Sequence, residues 1–269
     1  MASFDELPAL TAAERLAGLF ADTVGADARS VILHGSLSAG DFRAGSSDID
    51  LLIVIEGGLS DAQSTVLERL VRQADIGSAA GIDLHVVTAE IASAPNRTPA
   101  LELHIGRYDR SSTGFEVERR VAASPDLPVE LSMARADGRA LKGAPPREVI
   151  APVPADWIVD RGRHWLRAWR SLTDDTENAA LMVLTACRIW RFAVENVHCS
   201  KAQAARWALD RDPSLTAVRQ VVQQYEQDPT VDVGERGIAH LLDTVLQETA
   251  PTWRLAGPAS VQHSGADNS

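Results

Sequence analysis

The stretch SVILHGSLSAGDFRAGSSDIDLLIVI, residues 30–55, decides the fold of this chain. It begins with β-branched and apolar residues that predict a strand, and this strand runs directly into Gly35 and Ser36. A polar loop with glycines follows, and a second apolar run over residues 49–55 predicts another strand. The second run is short and continuously apolar, which is typical of a buried strand.

Two carboxylates, Asp48 and Asp50, stand at the start of this second strand. Because side chains alternate along a strand, both project on one face, while Ile49 projects on the other. Like charges this close raise one another's pKa unless a cation neutralises them, and carboxylate oxygens are the ligands that hard divalent ions prefer. The spacing therefore predicts a Mg²⁺ site that accompanies a nucleoside triphosphate.

The Gly-Ser pair after the first strand predicts a phosphate contact. Gly35 lets backbone N–H groups approach an anion, and the hydroxyl of Ser36 adds a donor. Ser47 supplies a further donor beside the predicted metal ligands.

A third strand is predicted over residues 82–87, where apolar and polar residues alternate. The same alternation places Asp83 and His85 on one face. If this strand is the neighbour of the strand that carries Asp50, Asp83 lies beside the metal pair. It would then serve as a third ligand or as a base.

The remaining patterns divide the chain into two parts and predict an α+β fold. A mixed sheet with flanking helices is expected in an N-terminal domain, residues 1–150, and an all-α bundle in residues 151–256, followed by a disordered tail, 257–269. The boundary falls in a proline-rich linker near residue 150. Within the first part we expect a helix opened by a capping box at 11–14, extended pieces at 101–105 and 115–121, and a helix over about 129–141.

Composition narrows the class of partner. The chain has 269 residues, 45% of them apolar, and its 26 basic and 37 acidic residues give a formal net charge of −11. This charge repels nucleic acid and anionic membranes and attracts a cationic small molecule. The cysteines, Cys187 and Cys199, are too few for a disulfide framework, and no export signal or membrane span is evident. We therefore expect a cytoplasmic monomer that binds neither nucleic acid nor membrane.

The order of strand, Gly-Ser, loop, Asp-x-Asp strand, helix and carboxylate-bearing strand resembles the nucleotidyltransferase superfamily. The whole chain is similar to the aminoglycoside adenylyltransferases that modify streptomycin and spectinomycin. In the second half, LTACRIW at 184–190 resembles that family's Leu-Thr-x-x-Arg-Ile-Trp, and SKAQAARWA at 200–208 resembles its Pro-Lys-x-x-Ala-x-x-Trp-Ala. The resemblance spans about residues 30 to 230.

The resemblance implies a nucleotide site formed by both parts of the chain. It assigns the metal to Asp48 and Asp50, and it gives a phosphate contact to Lys201, one of only two lysines in the chain. The nucleotide-binding residues that it implies are Gly35, Ser36, Ser47, Asp126, Arg188, Lys201 and Tyr225.

The resemblance also implies a general base and an acceptor site. At both places this chain has a different residue from the one typical of the family. The family's base is a glutamate, whereas this chain has Asp83, which is one methylene shorter. The family places a tryptophan against the aminoglycoside, and here Tyr108 occupies that position. Asp175, in an acidic segment before the Arg188 helix, is a candidate substrate contact, although capping of the helix explains it equally well.

The activity implied is Mg²⁺-dependent transfer of AMP from ATP to a hydroxyl of an aminoglycoside-type antibiotic, with release of pyrophosphate. One alternative is a nucleotidyltransferase that acts on a different small molecule or on a protein. Another is an inactive nucleotide-binding relative, which the departure at Asp83 keeps open.

Overall fold

The computed structural model describes residues 5–108, 114–226 and 231–250, with the backbone alone at 225 and 226. Within these ranges one sheet forms from the strands β1 Ala28–His34, β2 Ile49–Ile55, β3 Gly81–Thr88, β4 Leu101–Tyr108, β5 Phe115–Val121 and β6 Arg139–Gly143. The helices are α1 Leu7–Val24, α2 Gly35–Ala39, α3 Asp61–Arg72, α4 Ala89–Ser93, α5 Leu127–Asp137, α6 Pro146–Val149, α7 Ala155–Trp169, α8 Ala179–Glu195, α9 Lys201–Arg211, α10 Thr216–Glu226 and α11 Glu235–Glu248. The predicted α+β class is confirmed.

The sheet is mixed and runs in the order β5-β4-β3-β2-β1-β6. Strands β2 and β3 are parallel because α3 crosses between them, and the other neighbours are antiparallel. The register pairs Asp50 with His34 on one side and with Asp83 on the other. These three side chains therefore share one face of the sheet at adjacent positions.

Both faces of the central strands are buried, which explains why β2 reads as a continuous apolar run. Leu51, Ile53 and Ile55 pack with α1 and α3 on one face. Leu52 and Val54 pack with α4, α5 and α6 on the other. The face that carries Asp50 is thus the face covered by α5.

The second half consists of α7 to α11 around the apolar helix α8. Trp190 of α8 is fully buried, and its ring meets that of Trp207 edge-on at 5.3 Å. Helix α9 begins with a capping box in which the Ser200 hydroxyl accepts from Gln203 N and the Gln203 side chain accepts from Ser200 N. This cap fixes Lys201 as the first residue of α9.

Three local predictions were wrong. Helix α1 begins at Leu7 and not at the capping box of 11–14, because Pro8 is suited to a first turn and the Thr11 hydroxyl bonds to the Leu7 carbonyl inside the helix. The loop after β1 begins with a short helix, α2. The helix expected up to residue 141 ends at Asp137, and the chain continues as strand β6.

The division at residue 150 remains a prediction, and the tail 257–269 lies outside the described residues. In the described part of the chain, none of the helices is long and apolar enough to cross a membrane. Both cysteines are free thiols.

Candidate active site

A cleft of about 450 Å³ lies between the sheet and the helical half. The sheet side contributes the last residue of β1, the first residues of β2 and β3, and the helices α2 and α5. The opposite side contributes α8 and the start of α9. The polar residues that line the cleft are His34, Ser36, Asp41, Ser46, Ser47, Asp48, Asp50, Asp83, Glu130, Asp137, Thr185, Arg188, His198, Ser200 and Lys201.

Two glycines make room for the carboxylates at the floor of the cleft. A Cβ on Gly35 would lie 1.8 Å from Asp50 Oδ2, and Gly35 has φ +66°, which favours glycine. A Cβ on Gly81 would lie 2.6 Å from Asp48 Oδ1. The backbone therefore comes so close to both carboxylates that a side chain at either position would collide with them.

Carboxyl groups accumulate at this floor. Burial raises the pKa of Asp50 well above its ordinary value, and the neighbouring carboxylates Asp83, Glu130 and Asp48 raise it further. Burial, assisted by Asp83, also raises the pKa of Glu130 to about 7. Carboxyl groups that raise one another's pKa in this way are suited to a divalent cation, which would stabilise their ionised forms.

Two cationic side chains of the helical half face these carboxyl groups. Lys201, at the start of α9, has its pKa lowered by burial and by Arg188, while Asp50 and Asp48 oppose that shift. Arg188 of α8 also lines the cleft, and its Nη2 lies 2.8 Å from the Met133 sulfur of α5. Carboxylates on one wall and cations on the other leave a space suited to a metal-bound phosphate chain.

The predicted phosphate contacts lie along the same floor. Gly35 and Ser36 begin α2 directly after β1, and both line the cleft. Ser47 also lines it, with its hydroxyl accepting a hydrogen bond of 3.0 Å from the backbone of Arg43.

Two histidines lie beside Asp83. His104 Nε2 lies 2.9 Å from Asp83 Oδ1, and His85 Nδ1 lies 3.5 Å from the same oxygen. Burial by itself would raise the pKa of Asp83, but the hydrogen bond to His104 and the charges of the histidines outweigh it and lower the pKa. Asp83 is therefore an ionised carboxylate at neutral pH.

Tyr108 lies beside Asp83 but is not among the residues that line the cleft. A Cβ on Gly106 would come within 2.5 Å of the Tyr108 ring, so the ring lies over this glycine, which pairs with Asp83 in the sheet register. Burial and, next, the charge of Asp83 raise the pKa of Tyr108.

Three other predicted residues are not brought to the cleft by the described contacts. Both carboxylate oxygens of Asp126 pair with Arg161 at 2.6 Å, and Asp126 is not among the residues that line the cleft. Asp175 accepts from the backbone and side-chain nitrogens of Asn178, the residue directly before α8. The side chain of Tyr225 lies outside the described residues. The roles of these three residues stay predictions.

Sequence reasoning missed His34 and Glu130. Both ring nitrogens of His34 are buried with no hydrogen-bond partner among the described residues, and burial lowers its pKa to about 4. Glu130 Oε2 lies 3.9 Å from His34 Nδ1. His34 could have been found from its place directly before the Gly-Ser pair, whereas nothing local marks Glu130.

Two protein families match the chain, one in each half. Residues 17–104 match the nucleotidyltransferase domain, and residues 148–243 match the C-terminal domain of aminoglycoside adenylyltransferase. An aminoglycoside (3'')(9) adenylyltransferase from Escherichia coli is 29% identical over 209 residues, which cover 74% of this chain and 79% of that protein. The protein of that name from Klebsiella pneumoniae is 30% identical over 190 residues, covering 69% of this chain and 72% of that protein.

A solved structure shares the fold. It is the spectinomycin adenyltransferase AAD(9) from Enterococcus faecialis with ATP and spectinomycin, and it matches 88% of this chain and 98% of its own with a TM-score of 0.66. The sequence identity is 14%, so the likeness concerns the fold alone.

Proposed function

We infer the activity from the family, because the chain belongs to the aminoglycoside (3'')(9) adenylyltransferases. We propose that it transfers AMP from ATP to a hydroxyl of an aminoglycoside-type antibiotic, streptomycin or spectinomycin or both, and releases pyrophosphate. The observation that carries this proposal is the group of carboxylates Asp48, Asp50 and Asp83, which faces Arg188 and Lys201 across one cleft.

Mg²⁺ is the proposed metal, held by Asp48 and Asp50. The residues fit such an ion, because Gly35 and Gly81 give both carboxylates room and because other carboxyl groups surround Asp50. When bound, Mg²⁺ would offset the charge of the triphosphate and make the α-phosphorus more electrophilic.

The nucleotide is proposed to lie between the two walls of the cleft. Gly35, Ser36 and Ser47 are suited to donate hydrogen bonds to phosphate oxygens. Arg188 and Lys201 would balance the charge that develops on the leaving pyrophosphate. Tyr225 and Asp126 remain proposed nucleotide contacts, and for Asp126 this requires the ion pair with Arg161 to open.

Asp83 is proposed as the general base. The acceptor oxygen attacks the α-phosphorus, the bond from that phosphorus to the oxygen bridging to the β-phosphate breaks, and pyrophosphate leaves with the bonding electron pair. The proton of the attacking hydroxyl passes to the carboxylate of Asp83, which is ionised at neutral pH and thus able to accept it. His104 holds Asp83 Oδ1 at 2.9 Å and so fixes the orientation of the carboxylate.

The acceptor is proposed to bind at the Asp83 end of the cleft. Tyr108 offers a ring for stacking against a sugar or cation, and Asp175 offers a carboxylate for an amine or guanidine. The net charge of −11 favours a polycationic acceptor over an anionic one.

We also propose that the enzyme acts as a cytoplasmic monomer built from a nucleotidyltransferase domain, 1–150, and a helical domain, 151–256, without nucleic acid or membrane as partner. Sedimentation of the purified chain checks the oligomeric state, for which we expect one species of monomer mass.

The test is an acceptor profile. Purified protein is incubated with ATP and Mg²⁺ together with streptomycin, with spectinomycin or with no acceptor, and pyrophosphate release is followed with mass detection of an AMP adduct. We expect pyrophosphate release and an adduct with at least one of the two drugs. An acceptor of another kind is favoured by Asp83, which is shorter than the glutamate that the family resemblance implies. Pyrophosphate release with neither drug would support this alternative.

A further inference from the structure

Two imidazoles and a carboxylate meet on neighbouring strands beside the proposed base. Asp83 and His85 lie two residues apart on β3, and His104 is the register partner of His85 on β4, so all three share one face. One ligand atom of each residue lies within 4.8 Å of the others. The two histidine rings are stacked with their centroids 4.7 Å apart.

The two separations that involve Asp83 are close to those of a tetrahedral metal site, and the two histidine ligand atoms lie within 4.8 Å of each other. Asp83 Oδ1 lies 2.9 Å from His104 Nε2 and 3.5 Å from His85 Nδ1. Nitrogen and oxygen ligands about 2.0–2.1 Å from a tetrahedral zinc ion are about 3.3 Å apart. Small side-chain movements would therefore seat an ion among these three atoms.

Two independent observations point to a ligand at this place. His85 Nδ1 is buried and has no hydrogen-bond partner in the described ranges. His104 Nδ1 lies 3.3 Å from Glu118 Oε2 on β5, which directs Nε2 of the same ring toward Asp83. A carboxylate that holds the outer nitrogen of a histidine is the usual support of a metal-ligating imidazole.

We propose that Asp83, His85 and His104 form a binding site for one transition-metal ion of the zinc class, distinct from the Asp48 and Asp50 pair. The ion would take the place of the hydrogen bond between His104 Nε2 and Asp83 Oδ1, so its binding competes with the proposed role of Asp83 as a base. The chemistry of the ligands separates the two sites. Imidazole nitrogens suit Zn²⁺, Co²⁺ or Ni²⁺, whereas carboxylate oxygens suit Mg²⁺. Asp83 lines the cleft and gives an ion a route from solvent to the half-buried histidines.

The test is a Co²⁺ titration of the full-length, metal-free protein in excess Mg²⁺, read by visible absorption. We expect one equivalent of Co²⁺ with the intense band of tetrahedral coordination, and we expect Zn²⁺ to abolish that band. No tetrahedral band in the wild type, or a band that Zn²⁺ leaves unchanged, would overturn the proposal. The readout does not depend on AMP transfer, so a failure of the proposed function leaves it intact.

Substitutions at the three-residue site test which side chains bind the ion. His85→Gln and His104→Gln should each lose the band, and Glu118→Gln should weaken Co²⁺ binding by about 10–100-fold. His240→Gln, at an exposed histidine of α11, is the matched control and should keep the band, as should Asp48→Asn. Circular dichroism verifies that each variant is folded. A band that survives in both folded site variants, or that is lost in folded Asp48→Asn, contradicts the assignment.

Discussion

At the scale of single residues, the carboxylates of the floor were predictable and their neighbours were not. Asp48, Asp50 and Asp83 follow from alternation along two strands, which is a local pattern. Glu130 comes from α5, and its position against His34 depends on how that helix packs on the sheet. The hydrogen bonds of Asp83 likewise depend on His104, a residue of the next strand.

Gly35 offers a direct test of the floor. Gly35→Ala places a Cβ 1.8 Å from Asp50 Oδ2, so the carboxylate must move and AMP transfer should be lost. The matched control is Gly40→Ala, where φ is +74° and nothing lies within 4 Å of the new Cβ. Gly40→Ala should lose about 1–2 kcal/mol in the free energy of unfolding, measured with urea, because alanine disfavours left-handed backbone, and Gly35→Ala should lose at least as much. Equal activity of the two variants would refute the close approach of Gly35 to the carboxylate.

The two lysines of the chain provide a second matched pair. Lys201 faces the carboxylates in the cleft, whereas Lys142 lies exposed on β6. A hydrogen bond to a charged group contributes about 1.5–3 kcal/mol, so Lys201→Met should lower kcat/KM for ATP by about 10–100-fold. Lys142→Met should leave kcat/KM unchanged. Steady-state kinetics with ATP as the varied substrate measures both, and similar values for the two variants would remove Lys201 from the nucleotide site.

At the scale of helices and strands, an element could be predicted from the sequence when it is long or when a capping residue marks its start. The five helices of the second half are long and amphipathic or apolar, and Ser200 marks the start of α9 with a capping box. The five-residue elements α2 and β6 are too short to show a period and were missed. Strand β6 exists because it pairs with the edge of β1, which is a tertiary contact.

The cap of α9 should affect both stability and substrate binding. Ser200→Ala removes the cap and should cost about 1 kcal/mol in the free energy of unfolding. It should also raise the KM for ATP, because Lys201 is the first residue of the helix. Ser60→Ala removes the same kind of capping box from α3, which does not line the cleft. This control should show the loss of stability without the rise in KM, and a parallel rise in both variants would contradict the role of α9.

At the scale of the whole molecule, the sequence separated a mixed sheet from a helical half but not the cleft between them. That cleft depends on how α8 and α9 sit against α5, as in the contact of Arg188 with Met133. No spacing within either half encodes this contact.

The net charge of the whole molecule should affect how strongly a cationic acceptor binds. With a charge of −11, the chain should attract a cationic acceptor, and salt should screen this attraction because the Debye length is about 10 Å at 0.1 M ionic strength. We expect the KM for streptomycin to rise several-fold between about 0.05 and 0.5 M NaCl. Initial rates at saturating ATP measure this dependence. A KM that is constant or falls over this range would exclude electrostatic attraction of the acceptor.

The most direct test of the central claim is AMP transfer by Asp50→Asn, with streptomycin and spectinomycin as acceptors. Removing one carboxylate of the proposed metal pair should lower transfer by at least about a hundredfold, since metal-ion stabilisation contributes several kcal/mol. Thermal unfolding should show an intact fold, and Asp22→Asn, at an exposed position of α1, should transfer AMP as the wild type does. A folded Asp50→Asn enzyme that transfers AMP at the wild-type rate would contradict the account.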